Sequence, residues 1–567
     1  MANFFTDESD IIFHFEHDHL ERVADALEDG YEESKENIEA PVDAADAIDS
    51  YRRVLESMGA MAADFIEPRA EAADLEGCVL DDDGVTHLAG VTQENVDMLG
   101  QAQLMGFTLP RKYGGLNFPH YIYAIATEII SRADASLMNL FGLQGVGETI
   151  HDFATEEVKA EYLPRFSAGE VTGAMVLTEP DFGSDLQHVQ VRAEEDAEGN
   201  WKLNGVKRFI TNGCGHVLLV LARSEPHRHG AQGLSVFLVD KGPTVRVRRL
   251  EDKLGIHGSP TCELQFNDTP AVLIGKRKRG LVTYVAPLLN AARLGVAAQA
   301  VGIGQAALSA ARDYAGLRKQ FGRAIEDIAP VAEMLVDMTL RVEAARSLLY
   351  DTALFVDLAR SADRHGNRRE AKRMGRIAGL LTPMIKYYAG EMSIRVANDA
   401  IQVLGGSGYM RDYPVERYLR DARITTIYEG TSQLQVVAAS HGVMAGIAEG
   451  RFKELAADLD GTPGAAHQPL LAQMRENLAA AVAKAKAADD SDFVDFVARP
   501  IVDLAIHIYI GYLLVAQGNV SERKAVLADR WVRQTPMLSR NVEEIIDGRD
   551  SATLTHFAAI VHGADAG

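Results

Sequence analysis

The stretch that decides the architecture lies between Val171 and Ala271. It reads AMVLTEP (Ala174–Pro180), HVQVRAEED (His188–Asp196), WKLNGVKRFITNG (Trp201–Gly213), HVLLVLARS (His216–Ser224), LSVFLVD (Leu234–Asp240), TVRVRRL (Thr244–Leu250) and CELQFND (Cys262–Asp268). Each segment is short and β-branched, and Gly, Asp, Asn and Pro punctuate the gaps, which are strand signals with turn chemistry between them. A β module therefore interrupts a chain that is helical on both sides. Upstream, AIDSYRRVLESMGAMAADFI (Ala47–Ile66) places apolar residues at three- and four-residue spacing, and in FATEEVKAEYLPRF (Phe153–Phe166) Thr155 reads as a helix start. Downstream, long alanine- and leucine-rich runs fill Gly280 to about Ala445. A loose DGTPGAAHQP linker (Asp460–Pro469) and further amphipathic helices follow.

The predicted fold is α+β, mainly α, in five parts. These are an acidic, partly helical N-terminal extension (1–43), an N-terminal helical domain (44–170), a central β-barrel-like domain (171–275), a C-terminal helical bundle (276–446) and an additional helical domain (447–567). A chain of 567 residues with 47% hydrophobic and 24% charged residues has ordinary globular composition and is long enough for several domains. A net charge of -24 opposes nucleic-acid binding, which needs a basic footprint. Three cysteines, Cys78, Cys214 and Cys262, without a CxxC pair, suit a reducing compartment. MANFFTDESD lacks the basic and apolar regions of a targeting signal. The most apolar run, IVDLAIHIYIGYLLVAQG from Ile501, carries Asp503 and His507 and reads as a buried helix rather than a membrane span. A cytoplasmic protein is expected.

Four clusters carry chemistry. AMVLTEPDFGSD contains Thr178, Glu179, Gly183, Ser184 and Asp185. GVKRFITNG contains Phe209 and Thr211. GLRKQFG contains Arg318, Gln320 and Phe321. QVLGGSGYMRDYPVERYLRDARITTIYEGTSQLQ contains Gln402, Gly405, Gly406, Glu429, Thr431 and Gln433. In this order, on a β module and then a helical one, they resemble the acyl-CoA dehydrogenase family across roughly Ala47 to Ser440.

The resemblance implies FAD as cofactor and an acyl-CoA thioester as substrate. Removing two hydrogens across the α,β bond needs a carboxylate base in a dry slot, where desolvation raises its pKa, and fixed donors for the developing enolate oxygen. The family's base maps to Glu429, with its backbone N–H near the thioester oxygen and Gly430 allowing close approach. An alternative base position used in some branches maps to Ala292, which has no acidic group. Met175, Leu177, Thr178, Phe209 and Thr211 map to the flavin ring, and Ser184 to the CoA and flavin phosphate region. Asn290 and Arg293 map near the pantetheine and acyl pocket. Arg318, Gln320 and Phe321, with Gln402, Gly405, Gly406, Thr431 and Gln433, map to cofactor contacts, several of them reaching a neighbouring subunit's FAD. A homodimer or homotetramer and an electron-transfer flavoprotein as partner follow from the same resemblance.

Other signals weigh less. Gly302–Ala307 (GIGQAA) matches a dinucleotide fingerprint but lies inside a helical run without a preceding strand, so helix packing explains it better. His14, His17 and His19 lack a ligand framework and read as a solvated face, so no metal site is expected. Where some relatives carry an Arg close to the catalytic loop, this sequence has Cys262, beside Glu263. Asp134–Leu140 lacks the Arg that glutaryl-type enzymes use, and Leu137, Met138 and Leu140 suggest an apolar acyl pocket. The C-terminal extension reads as scaffold. Two rival classes share the fold: an acyl-CoA oxidase using dioxygen, and a non-catalytic DNA-binding flavoprotein, which the charge and Glu429 oppose.

Overall fold

The structure, a computed structural model, describes residues 2–488, 490–548 and 552–563. The central module comprises β1 (Gly173–Val176), β2 (Arg192–Glu195), β3 (Trp201–Thr211), β4 (Val217–Arg223), β5 (Leu234–Asp240), β6 (Val245–Leu250) and β7 (Thr261–Ile274). Antiparallel pairing runs β2–β3–β7–β5–β4, and a single parallel bridge, Arg192 to Arg223, returns β4 to β2. The sheet thus closes on itself, as the barrel-like expectation required. β1 extends β4 in parallel and β6 extends β7.

Two strands are shorter than their sequences suggest. In HVQVRAEED the strand starts only at Arg192, because the Gln190 and Val191 N–H groups bond the Glu179 carboxylate at 2.6 and 2.8 Å instead of a neighbouring strand. In AMVLTEP it stops at Val176, because the Leu177 carbonyl accepts from the buried Lys207 Nζ at 2.7 Å. Lys207 also pairs with Glu179 at 3.0 Å. This one ion pair therefore ties the two chain segments to β3.

The helical part is built on α1 (His120–Ala133), α2 (Ala286–Leu317), α3 (Ala329–Arg364) and α4 (Arg368–Leu404), which pack on one another. Gly302 explains the close approach of α2 to α1: a Cβ there would stand 2.5 Å from the Glu128 carbonyl oxygen. GIGQAA is thus a packing surface, as expected from its helical setting. α5 (Ser432–Met444) packs on α4, and α6 (Ser491–Gly518) with α7 (Glu522–Gly548) forms the additional domain. α6 and the helical run over Gly280–Leu317 are long and apolar enough to cross a membrane, but both serve as packed helices here, and Ile501, Ala505 and Ile508 are fully buried. The Asp460–Pro469 linker is tied down: Gly464 N–H donates to Asn519 Oδ1 at 2.7 Å.

The N-terminal extension is a structural part of the core. Phe5, Ile11, Phe15 and Val23 are buried in the same cluster as the bundle. His14 is also buried and bonds Asp18 at 2.8 Å, so the solvated-face reading of the histidine cluster fails for His14, while His17 and His19 are exposed. Among the described residues no group of His, Cys, Asp and Glu is placed to hold a metal.

Candidate active site

The Tyr428–Gly430 turn sits where barrel and bundle meet. It leaves a short 3₁₀ turn, Arg423–Thr426, and enters α5, whose first turn Thr431 caps by accepting from Leu434 N–H at 3.4 Å. Glu429 and Gly430 have φ of 55° and 99°. Left-handed backbone costs a non-glycine residue about 1–2 kcal/mol, so surrounding contacts must hold it. Arg293 Nε donates to the Glu429 carbonyl at 3.1 Å, and Lys386 Nζ donates to the Gly430 carbonyl at 2.6 Å. Gln435 Nε2 reaches both carbonyls at 3.3 Å. The Tyr428 hydroxyl donates to Gln299 Oε1, with Asn139 Oδ1 3.3 Å away as the alternative acceptor. Three elements of the bundle thereby fix the direction of one carboxylate.

Burial pushes the Glu429 carboxyl above its usual value, and Arg293 and Lys386 pull it partly back. Burial also lowers Lys386 to about 8. Desolvation makes this carboxylate a stronger proton acceptor, while the two cations favour its charged form, the balance a proton-abstracting base requires.

The turn forms one wall of a cleft of about 590 Å³. Met175, Leu177, Thr178, Ser184, Phe209 and Thr211 of the barrel form the facing wall. Phe209 owes its position to a break in the β3–β7 register between Lys207 and Ile210, where its φ is 59°. The ring leaves the sheet and stands 53% exposed at the cleft, with the Arg208 guanidinium 4.6 Å from its centroid. Arg293, Gly430 and Thr431 complete the lining among the expected residues. A narrower chamber opens from the cleft past Glu429, Met175 and Thr211, and Ala292 lines it where a second carboxylate would otherwise stand.

The remaining expected residues gather elsewhere. Asn290 is exposed and accepts from Arg293 Nη1 at 2.9 Å, adjoining the cleft without lining it. Arg318, Gln320 and Phe321 lie on a small exposed hairpin after α2, and Phe321 is 92% exposed. Gln402, Gly405 and Gly406 lie exposed at the end of α4. These two segments are neighbours, since Tyr314, before the hairpin, bonds Ser407 at 3.3 Å and meets the Tyr413 ring at 5.5 Å. None of them lines the cleft of their own chain, and neither does Gln433. Cys262 is sealed inside the barrel, and Glu263 beside it pairs with Arg248 at 3.2 Å. Of the expected apolar trio only Met138 lines the chamber; Leu137 and Leu140 point into the helical core.

Lys386, Gln435 and Tyr428 were missed by sequence reasoning. Lys386 leaves one trace, a lone charge in the otherwise uncharged run Leu380–Gly390 of α4. Nothing local marks Gln435, whose role depends on the fold of the turn.

Comparison with known proteins gives the family and the fold. The chain matches the acyl-CoA dehydrogenase N-terminal domain over residues 49–170, the middle domain over 174–269 and the C-terminal domain over 279–443. Residues 461–532 match a further acyl-CoA dehydrogenase C-terminal family. An acyl-CoA dehydrogenase of Bacillus subtilis is 39% identical over 359 residues, covering 62% of this chain and 89% of that one. A chain solved in a study of the electron transferring flavoprotein of Acidaminococcus fermentans is 34% identical, with a TM-score of 0.61 over 69% of this chain and 97% of that one. An acyl-CoA dehydrogenase from Bacillus anthracis, solved in complex with FAD, is 22% identical and extends the likeness of fold to 87% of this chain and 88% of its own, with a TM-score of 0.74. The chain belongs to the acyl-CoA dehydrogenase family.

Proposed function

We propose that the protein is an FAD-dependent acyl-CoA dehydrogenase that converts an acyl-CoA thioester to the 2-enoyl-CoA, with Glu429 as the base. The observation that carries this reading is the Glu429–Gly430 turn: a desolvated carboxylate, fixed by Arg293, Lys386 and Gln435, facing an aromatic ring and two threonines across a cleft. Glu429 takes the α-proton onto a carboxylate oxygen. The Glu429 N–H has no acceptor among the described residues and is available to the thioester oxygen as negative charge develops there. Arg293 and Gly430 hold the thioester end, with Ser184 and Asn290 toward the CoA.

The facing wall fits a flat, partly polar cofactor: Phe209 offers an exposed ring, Met175 and Leu177 an apolar surface, and Thr178 and Thr211 hydroxyls. These residues would hold the FAD ring, which when bound would supply the acceptor for the hydride leaving the β-carbon. The separate Arg318–Phe321 and Gln402–Gly406 surfaces, exposed and away from the cleft, suit a second subunit's cofactor, because the arginine fork gives paired bonds to a diphosphate. The expected assembly is therefore a homo-oligomer, and the expected electron acceptor is an electron-transfer flavoprotein, in keeping with the likeness to the Acidaminococcus study chain.

The test is anaerobic mixing of the flavin-loaded protein with a panel of acyl-CoAs. Loss of the oxidised flavin band, with 2-enoyl-CoA formed in equal amount, is expected. Reduction by no acyl-CoA would contradict the proposal. Fast reoxidation by dioxygen would favour the oxidase alternative over the dehydrogenase.

A further inference from the structure

The chamber beside Glu429 ends on polar groups, and their arrangement narrows the acyl group. The cleft and the chamber share Met175, Thr211, Tyr428 and Glu429, so the reacting carbons enter from this end. Met138, Val146, Leu288 and Val296 form apolar walls. His120, Tyr123 and Glu148 line the chamber but not the cleft, and Tyr123 and Glu148 also border a small inner void with Thr108 and Gln144. These residues therefore form the far end.

The charges at that end are already matched. Glu148 accepts from Thr108 Oγ1 at 2.6 Å and meets His120 Nε2 at 3.1 Å, with Arg360 at 3.4 Å. His120 Nδ1 meets Asp357 at 3.0 Å, and the same carboxylate caps α1 through the His120 and Tyr121 N–H groups. Burial works against the charge on His120, but its two carboxylate partners raise it to about 9, so it stays protonated at neutral pH. Among the described residues no unpaired cation lines the chamber for a carboxylate-ended acyl chain, which would instead meet Glu148.

Uncharged polar capacity does remain. Gln144 Oε1, on the inner void that Tyr123 separates from the chamber, is buried without a hydrogen-bond partner. The Tyr123 hydroxyl is aimed at the chamber wall, 3.6 Å from where a Cβ on Gly142 would stand. A saturated alkyl end would meet the Tyr123 hydroxyl without matching it, which is unfavourable for a polar group at a closed wall. The chamber measures about 70 Å³, roughly half the ~150 Å³ of a cavity that admits a benzene ring. Only a few heavy atoms fit beyond the reacting carbons.

We infer that the substrate is a short acyl-CoA whose far end carries an uncharged hydrogen-bonding group, such as a hydroxyl or carbonyl, received by Tyr123 at the polar end of the chamber. The inference rests on the dehydrogenase reading above, with the α-proton going to Glu429 and the hydride to FAD, and it adds the class of acyl group. Tyr123 acts here as a specificity residue.

The experiment compares flavin reduction by matched pairs, 4-hydroxybutyryl-CoA against pentanoyl-CoA and 5-hydroxypentanoyl-CoA against hexanoyl-CoA, with glutaryl-CoA and decanoyl-CoA beside them. The same panel is run on Tyr123→Phe, whose folding is checked by flavin content and thermal unfolding. In the wild type, at least one hydroxy member should exceed its methyl partner about three- to tenfold, the worth of one net hydrogen bond, and the ratio should fall to about one in Tyr123→Phe. Glutaryl- and decanoyl-CoA should be poor substrates. Preference for the methyl partner at both lengths, decanoyl-CoA as the best substrate, or an unchanged ratio in the variant would overturn this inference alone. Reduction by no member would overturn the dehydrogenase reading and this inference with it.

Discussion

Asp10→Ala tests whether the two extensions are one structural unit with the bundle. Asp10 is buried and takes Arg346 Nη1 at 2.6 Å and Lys524 Nζ on its other oxygen. It thereby joins the N-terminal extension to α3 and to the additional domain. Removing one partner of a buried ion pair costs about 3–5 kcal/mol. Both cations keep other partners, Arg346 on Glu128 at 2.6 Å and Lys524 on Glu343 at 2.9 Å. The loss should therefore fall at the lower end, about 3 kcal/mol, which raises local opening of the N-terminal helices about a hundredfold. Limited proteolysis at 25 °C, with the cut sites located by mass spectrometry, should show cleavage within the first thirty residues of the variant well before the wild type. Burial pushes the Asp10 carboxyl up, but Lys524, Arg346 and His14 together pull it well below the ordinary carboxylate range. Its contribution is thus complete above about pH 4, the unfolded value, and is lost only as pH falls through the much lower folded value. The difference between wild type and variant should persist at pH 5 to 8. Equal proteolysis rates across that range would refute the claim that this cluster clamps the termini.

Other substitutions probe the turn. Lys386→Met removes a cation that holds the Glu429 carboxyl down. The pH at which the base becomes active should shift upward, read as an alkaline displacement of the rising limb of flavin reduction. Gly430→Ala places a Cβ 2.5 Å from Gln435 Nε2 at a φ of 99°. At least about 1 kcal/mol of strain and a displaced turn should follow, lowering the reduction rate about tenfold or more while far-ultraviolet circular dichroism is unchanged. Phe209→Ala removes a half-exposed ring that nothing in the barrel requires, so flavin affinity should drop, measured by cofactor retention on dilution, with little change in thermal stability of the flavin-free protein.

Much of this was legible in the sequence, for reasons that differ by element. The barrel strands were visible because short apolar runs such as VLLVLAR at Val217–Arg223 are bounded by turn residues, Gly213 and Gly215 before and Pro226 after. The shortened strand at Arg192 was not visible, because the Glu179 carboxylate that captures its leading N–H groups lies eleven and twelve positions upstream. Glu429 stood out through a recognisable motif, whereas Lys386 did not, since its role exists only once α4 passes the turn. The histidine cluster misled because an acidic, His-rich segment looks solvated, while Phe5, Ile11 and Phe15 draw that segment into the core. Likewise the spacing of Leu137, Met138 and Leu140 could not say which of them faces the chamber.

The central claim, that Glu429 removes the α-proton, is tested most directly by single-turnover flavin reduction in Glu429→Gln with the best acyl-CoA of the panel. Gln keeps the shape and cannot accept the proton, so binding should be retained, visible as a perturbed flavin spectrum, while the reduction rate falls about a hundredfold to ten-thousandfold. Reduction of Glu429→Gln at the wild-type rate would contradict the account and place the base elsewhere in the cleft.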